Sequence, residues 1–137
     1  MTATSMDRFT SRREKVSQSC RSLKCEAFLV THPVNVSYLT GFRGEDSYLL
    51  IGPDRTLLLS DTRFEEQIEE ECAGLDAELR RPGQTLSEIT GMALKKAGCR
   101  SVAFEADALT VGGLESLRQH SQAVEWNPQT GQIERLR

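Results

Sequence analysis

Two nearly unbroken apolar runs lie back to back in the chain: "SYLLI" (47–51) and "TLLLS" (56–60), joined by Gly52-Pro53-Asp54-Arg55. A proline followed by an aspartate supports a tight turn, so the two runs read as an antiparallel hairpin. A hairpin with one wet face would alternate apolar and polar residues. Here leucines follow one another, so both faces must be covered, which calls for a central sheet with helices on each side. The chain has 137 residues with 38% hydrophobic and 27% charged side chains, an ordinary globular composition for one domain.

The flanking segments fit that frame. Ser11 to Glu14 reads as a capping box, with a helix that can begin a few residues earlier, and Phe9, Val16, Cys20 and Leu23 fall on one helical face. "EAFLV" (26–30) reads as a buried strand. Pro33 suits the first turn of a helix and Gly41 its left-handed end, so "PVNVSYLT" (33–40) reads as a short helix. In "DTRFEEQIEEEC", Phe64, Ile68 and Cys72 recur every four residues, giving an amphipathic helix with a solvated acidic face. "AELR" (77–80) is a weak strand, and "TLSEITGMALKKAG" (85–98) a helix capped by Thr85 and Glu88 with Leu86, Ile89 and Ala93 inward. "SVAFE" (101–105) and "AVEWN" (123–127) read as strands, with a helix over "LTVGGLESLRQH" (109–120) between them. "GQIERLR" reads as the beginning of a further helix.

Composition excludes several functions. A formal charge of -3 argues against a nucleic-acid partner, and no apolar run approaches the roughly 18 residues of a membrane span. The N-terminus lacks the apolar core of a signal peptide. Cys20, Cys25, Cys72 and Cys99 form no C-x-x-C pair, and His32 and His120 have no zinc-ligand spacing, so reduced thiols in a cytoplasmic protein are expected. Gly112-Gly113 lacks the strand-turn-helix setting of a phosphate loop. No residue is assigned a catalytic or metal-binding role.

Several residues constrain local structure. Tyr38 and Leu39 read as core, His32 as a turn residue that caps a helix, and Asp61 as an N-cap or hairpin-edge residue. Arg63 is expected to pair with an acidic neighbour. In "FRGEDS" (42–47), Gly44 gives freedom to bend and three charges make the segment costly to bury, so it should be exposed. A loop aromatic and a loop arginine are frequent interface anchors, which marks Phe42 and Arg43, with Glu45 and Asp46 beside them.

Together, "EAFLVTHPVNVSYLTGF" and "SYLLIGPDRTLLLSDTRFEEQ" resemble the N-terminal domain of the creatinase, prolidase and aminopeptidase P family. The resemblance rests on Pro33, then Asn35, Tyr38, Leu39, Gly41 and Phe42, then Asp61, Arg63, Phe64 and Gln67, in that order, and covers the chain from about Phe9. It implies a six-stranded mixed sheet flanked by helices, with a ribonuclease H-like motif. By the same resemblance, 1–8 would be a flexible lead-in, 9–127 the domain, and 128–137 the start of a linker helix to a catalytic domain not contained in this chain.

The resemblance further implies that such a catalytic domain holds two divalent metal ions (manganese, cobalt or zinc) and cleaves Xaa-Pro bonds. This chain would then be a non-catalytic domain of an Xaa-Pro aminopeptidase or dipeptidase, a metallopeptidase, partnered by that domain and by a second subunit in a homodimer. His32 and the 42–47 loop would stand at the substrate entrance or an interface. The residues at His32 and in "RGEDS" depart from the family's usual small and polar ones, which bears on substrate preference. A stand-alone regulatory module and the N-terminal domain of a metal-free creatinase-like amidinohydrolase are the alternatives. A self-contained nuclease is disfavoured, because the strands carry Leu, Val and Ala where it would need carboxylates.

Overall fold

In a computed structural model, the backbone is described from Thr2 to Arg137 and the side chains from Arg8. The order is α1 (Thr2–Ser22), β1 (Ala27–Val30), α2 (Pro33–Thr40), β2 (Tyr48–Ile51), β3 (Thr56–Asp61), a 3-10 turn (Thr62–Phe64), α3 (Glu65–Glu71), β4 (Asp76–Arg80), α4 (Leu86–Ala97), β5 (Ser101–Glu105), α5 (Val111–Gln119), β6 (Glu125–Gln129) and a second 3-10 turn (Glu134–Leu136). The six strands form one sheet in the order β4-β3-β2-β1-β5-β6. β1, β2 and β3 pair antiparallel, and β4, β5 and β6 join in parallel.

The apolar hairpin lies near the middle of this sheet and is covered on both sides. Phe28, Val30, Leu49, Ile51 and Leu58 face Val16 and Cys20 of α1, Val36 and Leu39 of α2, and Ile68 of α3. Leu29, Leu50, Leu57, Leu59 and Phe104 face Ile89 and Leu94 of α4 and Leu117 of α5. Both layers are needed because adjacent leucines point to opposite faces.

α2 is fixed at both ends by local chemistry and across its end by α1. His32 is its N-cap, with Nδ1 accepting from the Val34 N–H at 3.2 Å, and Pro33 occupies the first turn. Gly41 closes it at φ 83° and donates its N–H to Ser37 O. The carbonyls left over at the C-terminal turn accept from arginines of α1: Arg12 Nη1 reaches Tyr38 O at 2.8 Å and Arg13 Nη1 reaches Leu39 O at 2.9 Å. Arg12 also lies over the Tyr38 ring, 4.0 Å from its centroid.

Three boundaries differ from the sequence reading. α1 is already helical from Thr2, so Ser11 and Glu14 lie inside it rather than at its start; Met1 lies outside the described residues. The last strand runs 125–129 rather than 123–127 and includes Pro128. It lies at the sheet's edge, where a missing N–H costs no ladder bond. The terminal residues do not run on as a helix from 128. They fold back as a 3-10 turn, because Ile133 inserts into the core and the Tyr38 hydroxyl donates to Leu136 O at 3.0 Å.

Candidate functional site

The sequence-selected residues fall into two groups, one at each end of α2. Eight helical residues separate them, about 12 Å at 1.5 Å per residue.

At the C-terminal end, Phe42 begins the loop that the sequence marks as exposed. The structure corrects that for two of its six residues: the Phe42 ring and Ser47 are buried, while Arg43, Glu45 and Asp46 are exposed. Phe42 is thus a pin holding the loop down rather than an outward anchor. Its ring meets Phe64 edge-on, with centroids 5.8 Å apart, and its N–H donates to Thr40 Oγ1 at 3.0 Å. Gly44 serves as room rather than as a hinge, since a Cβ there would lie 2.3 Å from the Phe42 ring. The left-handed position is Asp46, at φ 50°, a conformation aspartate tolerates better than most residues. The Arg43 N–H donates to Glu71 Oε1 at 2.8 Å, and Ser47 Oγ bonds Ser60 Oγ at 2.7 Å. The loop therefore presents three charged side chains from a backbone fixed at both ends.

Beside it, Asp61 is both the expected cap and the centre of an ion cluster. Its side chain accepts the Arg63 N–H at 2.8 Å, capping the 3-10 turn. It also receives Arg63 Nη2 at 2.7 Å and Nε at 3.0 Å, and Arg80 Nη2 at 3.3 Å. Hydrogen bonds from Arg63 above all, against the opposing effect of burial, hold the Asp61 carboxyl down at about 2. The same pairing raises the pKa of Arg63. Asp46 Oδ2 lies 3.4 Å from Arg63 Nη2, joining the loop to the cluster. Arg63 is 60% exposed, so its guanidinium is held in one orientation while facing solvent.

At the N-terminal end, His32 joins a cluster centred on a residue the sequence reading passed over. Glu105, at the end of β5, is 7% exposed. Its Oε1 accepts the N–H groups of Thr31 and His32 at 2.8 and 3.0 Å, and its Oε2 accepts Asn35 Nδ2 at 2.5 Å. Asn35 also donates to Glu134 Oε2 at 2.8 Å. That bond, chiefly, lowers the Glu134 pKa against burial. The carboxylate of Glu105 thus takes up free N–H groups ahead of α2. His32, Glu105, Asp107 and Glu134 border a cavity of about 20 Å³, room for one water. The only sequence signal for this cluster was an acid ending an otherwise apolar strand.

Among the described residues no group of three or more His, Cys, Asp and Glu side chains is arranged to hold a metal ion. These residues do not fit a two-metal centre. All four cysteines are buried, and burial pushes the Cys20 and Cys72 thiols up to about 11. A groove of about 720 Å³ lies elsewhere, between α4 and the β2–β3 turn, floored by Leu50, Leu57 and Ile89. No described helix is long and apolar enough to cross a membrane.

The fold and its punctuation have known counterparts. The model of the creatinase/prolidase N-terminal domain matches residues 12–137. The N-terminal domain of the cytoplasmic peptidase PepQ from Mycobacterium tuberculosis superposes with a TM-score of 0.85 and 27% identity, over 93% of this chain and 98% of that one. The N-terminal, creatinase/prolidase-like domain of a protein from Corynebacterium diphtheriae is 31% identical, with a TM-score of 0.79 over 90% and 98% of the two chains. The Xaa-Pro dipeptidase from Bacillus anthracis, at 21% identity and TM-score 0.86, shares the fold, and this chain spans 36% of its length. No curated protein matches the sequence. With its family model matched over 12–137 and its six-stranded mixed sheet, the chain belongs to the creatinase/prolidase N-terminal domain family.

Proposed function

We propose that this chain is the non-catalytic N-terminal domain of a cytoplasmic Xaa-Pro peptidase, and that its 42–47 loop shapes substrate access at a subunit contact. One observation carries the reading: Arg43, Glu45 and Asp46 project from a loop pinned by the buried Phe42 and by the Ser47–Ser60 bond. A wall that selects substrates must hold its charges in place, and a pinned backbone does that without ordering cost on binding. The similarity to the Mycobacterium tuberculosis peptidase domain supports the parent activity. The two divalent ions of the chemistry would be held by the adjoining catalytic domain, since the clustered carboxylates of this one, Asp61, Glu105 and Glu134, are engaged by arginines, an amide and backbone N–H groups.

Two experiments test this. The pure 137-residue chain, given manganese, cobalt or zinc, should not hydrolyse an Xaa-Pro dipeptide; saturable cleavage abolished by a chelator would overturn the non-catalytic assignment. In the protein that joins this domain to a catalytic domain, Arg43→Ala, or Glu45→Ala with Asp46→Ala, should change KM or substrate preference with metal content unaltered. Unchanged kinetics on dipeptides and longer Xaa-Pro peptides would make the loop a connector only.

A further inference from the structure

The two outer strands of the sheet differ in how they meet solvent. β6 carries Pro128, which has no N–H to offer, and the chain after it folds back over its end through Ile133. β4 has no proline between Asp76 and Arg80, and Asp76, Ala77 and Glu78 are exposed. Its outer backbone groups are open to another strand.

We propose that β4 pairs antiparallel with β4 of a second copy of this chain, about a two-fold axis at Leu79, extending two six-stranded sheets into one of twelve. Register decides the case. The ladder with β3 places Asp76, Glu78 and Arg80 on the face of Leu57 and Leu59, toward α4, and Ala77 and Leu79 on the other. A two-fold axis normal to the sheet keeps every side chain on its own face, so directly opposed residues lie at equal distances either side of the centre. Centring on Glu78 sets Asp76 against Arg80 twice but places Glu78 against Glu78 between those pairs. Centring on Ala77 sets Asp76 against Glu78, and centring on Arg80 sets Arg80 against itself. Only Leu79 at the centre sets Glu78 against Arg80 of the second copy, twice, with Leu79 against Leu79 between them on the opposite face.

The monomer is prepared for that register. Arg80 is already oriented, with Nη1 on Gln84 O at 2.9 Å and Nη2 on Asp61 at 3.3 Å. Asp76 is engaged by Arg55 at 3.5 Å. Glu78, among the described residues, has no side-chain hydrogen bond or ion pair within its own chain. The inference stands whether or not the parent protein is a peptidase.

Sedimentation equilibrium of the 137-residue chain tests it. Wild type should self-associate, and Glu78→Arg, which opposes arginine to arginine, should weaken association by about tenfold or more. Leu79→Cys should form a disulfide-linked dimer on mild oxidation, against a background of four buried native thiols. Asp76→Cys should not, since its two copies would lie about 20 Å apart along the paired strands. A chain that stays monomeric up to about 1 mM, association indifferent to Glu78→Arg, or equal cross-linking at Asp76→Cys would each overturn the proposal.

Discussion

The two ends of α2 solve the problem of unpaired backbone groups in opposite ways. At the N-terminal end a single buried carboxylate, Glu105, gathers the Thr31 and His32 N–H groups, and Asn35 links it to Glu134 of the terminal turn. Nearly all of that chemistry is internal. At the C-terminal end long arginines from α1 reach over to the last carbonyls, and the chain then runs into a loop whose charged side chains face solvent. The first arrangement leaves little capacity for an outside partner. The second holds the backbone still and leaves the charges available, which is why the access role is proposed there.

The sharpest way to break the contrast is to remove the pin beneath the exposed loop. Phe42→Ala should cost about 3–5 kcal/mol, through the loss of a fully buried ring and the cavity it leaves. The urea midpoint should fall, and limited proteolysis should then cut between 42 and 47. Next in size is the opposite end. Glu105→Gln turns an amide N–H toward either the Asn35 donor or the Thr31 and His32 N–H donors, and about 2 kcal/mol should be lost in chemical denaturation. A stability equal to wild type would mean that a neutral acceptor suffices there.

Gly41→Ala should cost more than about 1 kcal/mol, since φ is 83° and the new Cβ would lie 3.1 Å from the Phe9 ring. An unchanged urea midpoint would count against the left-handed closure. The acid response comes next. Asp61 titrates at about 2 in the folded chain and at 3.8 as an ordinary aspartate. A depressed pKa means that its contribution is present in full above the ordinary value and is lost as pH falls toward 2. Glu134, also depressed, acts with the same sign from its ordinary value of 4.5 downward. Asp61→Asn should flatten the stability profile below pH 4, as followed by thermal melting. Smallest of all, Arg43→Ala should change the stability of the isolated chain by less than about 0.5 kcal/mol, since the side chain is exposed and its backbone N–H makes the contact.

These residues also mark what a sequence can and cannot convey. The hairpin and α2 were legible because their signals are local: successive leucines, a proline at the start, a glycine at the end. The fate of Phe42 was not, since its burial depends on Phe64, twenty-two residues on, and on the space left by Gly44. Glu105 was missed because Thr31, His32 and Asn35 lie at least seventy residues away in the chain. The apolar pattern puts the last strand two residues early, because Pro128 is admissible only at an edge and strand order has no local signature. The sequence marks Asp61 as an N-cap or edge residue and Arg63 as pairing with an acid; what two residues of spacing do not convey is Arg80 arriving from the neighbouring strand.

The fold-back after β6 has a mechanical meaning. Ile133 in the core, Glu134 on Asn35 and Leu136 bonded to Tyr38 are three anchor points within four residues, the last two on α2. A load pulling on Arg137 would meet a riveted bracket instead of a loose tether. Its first effect would be a torque on the helix that ends at the charged loop.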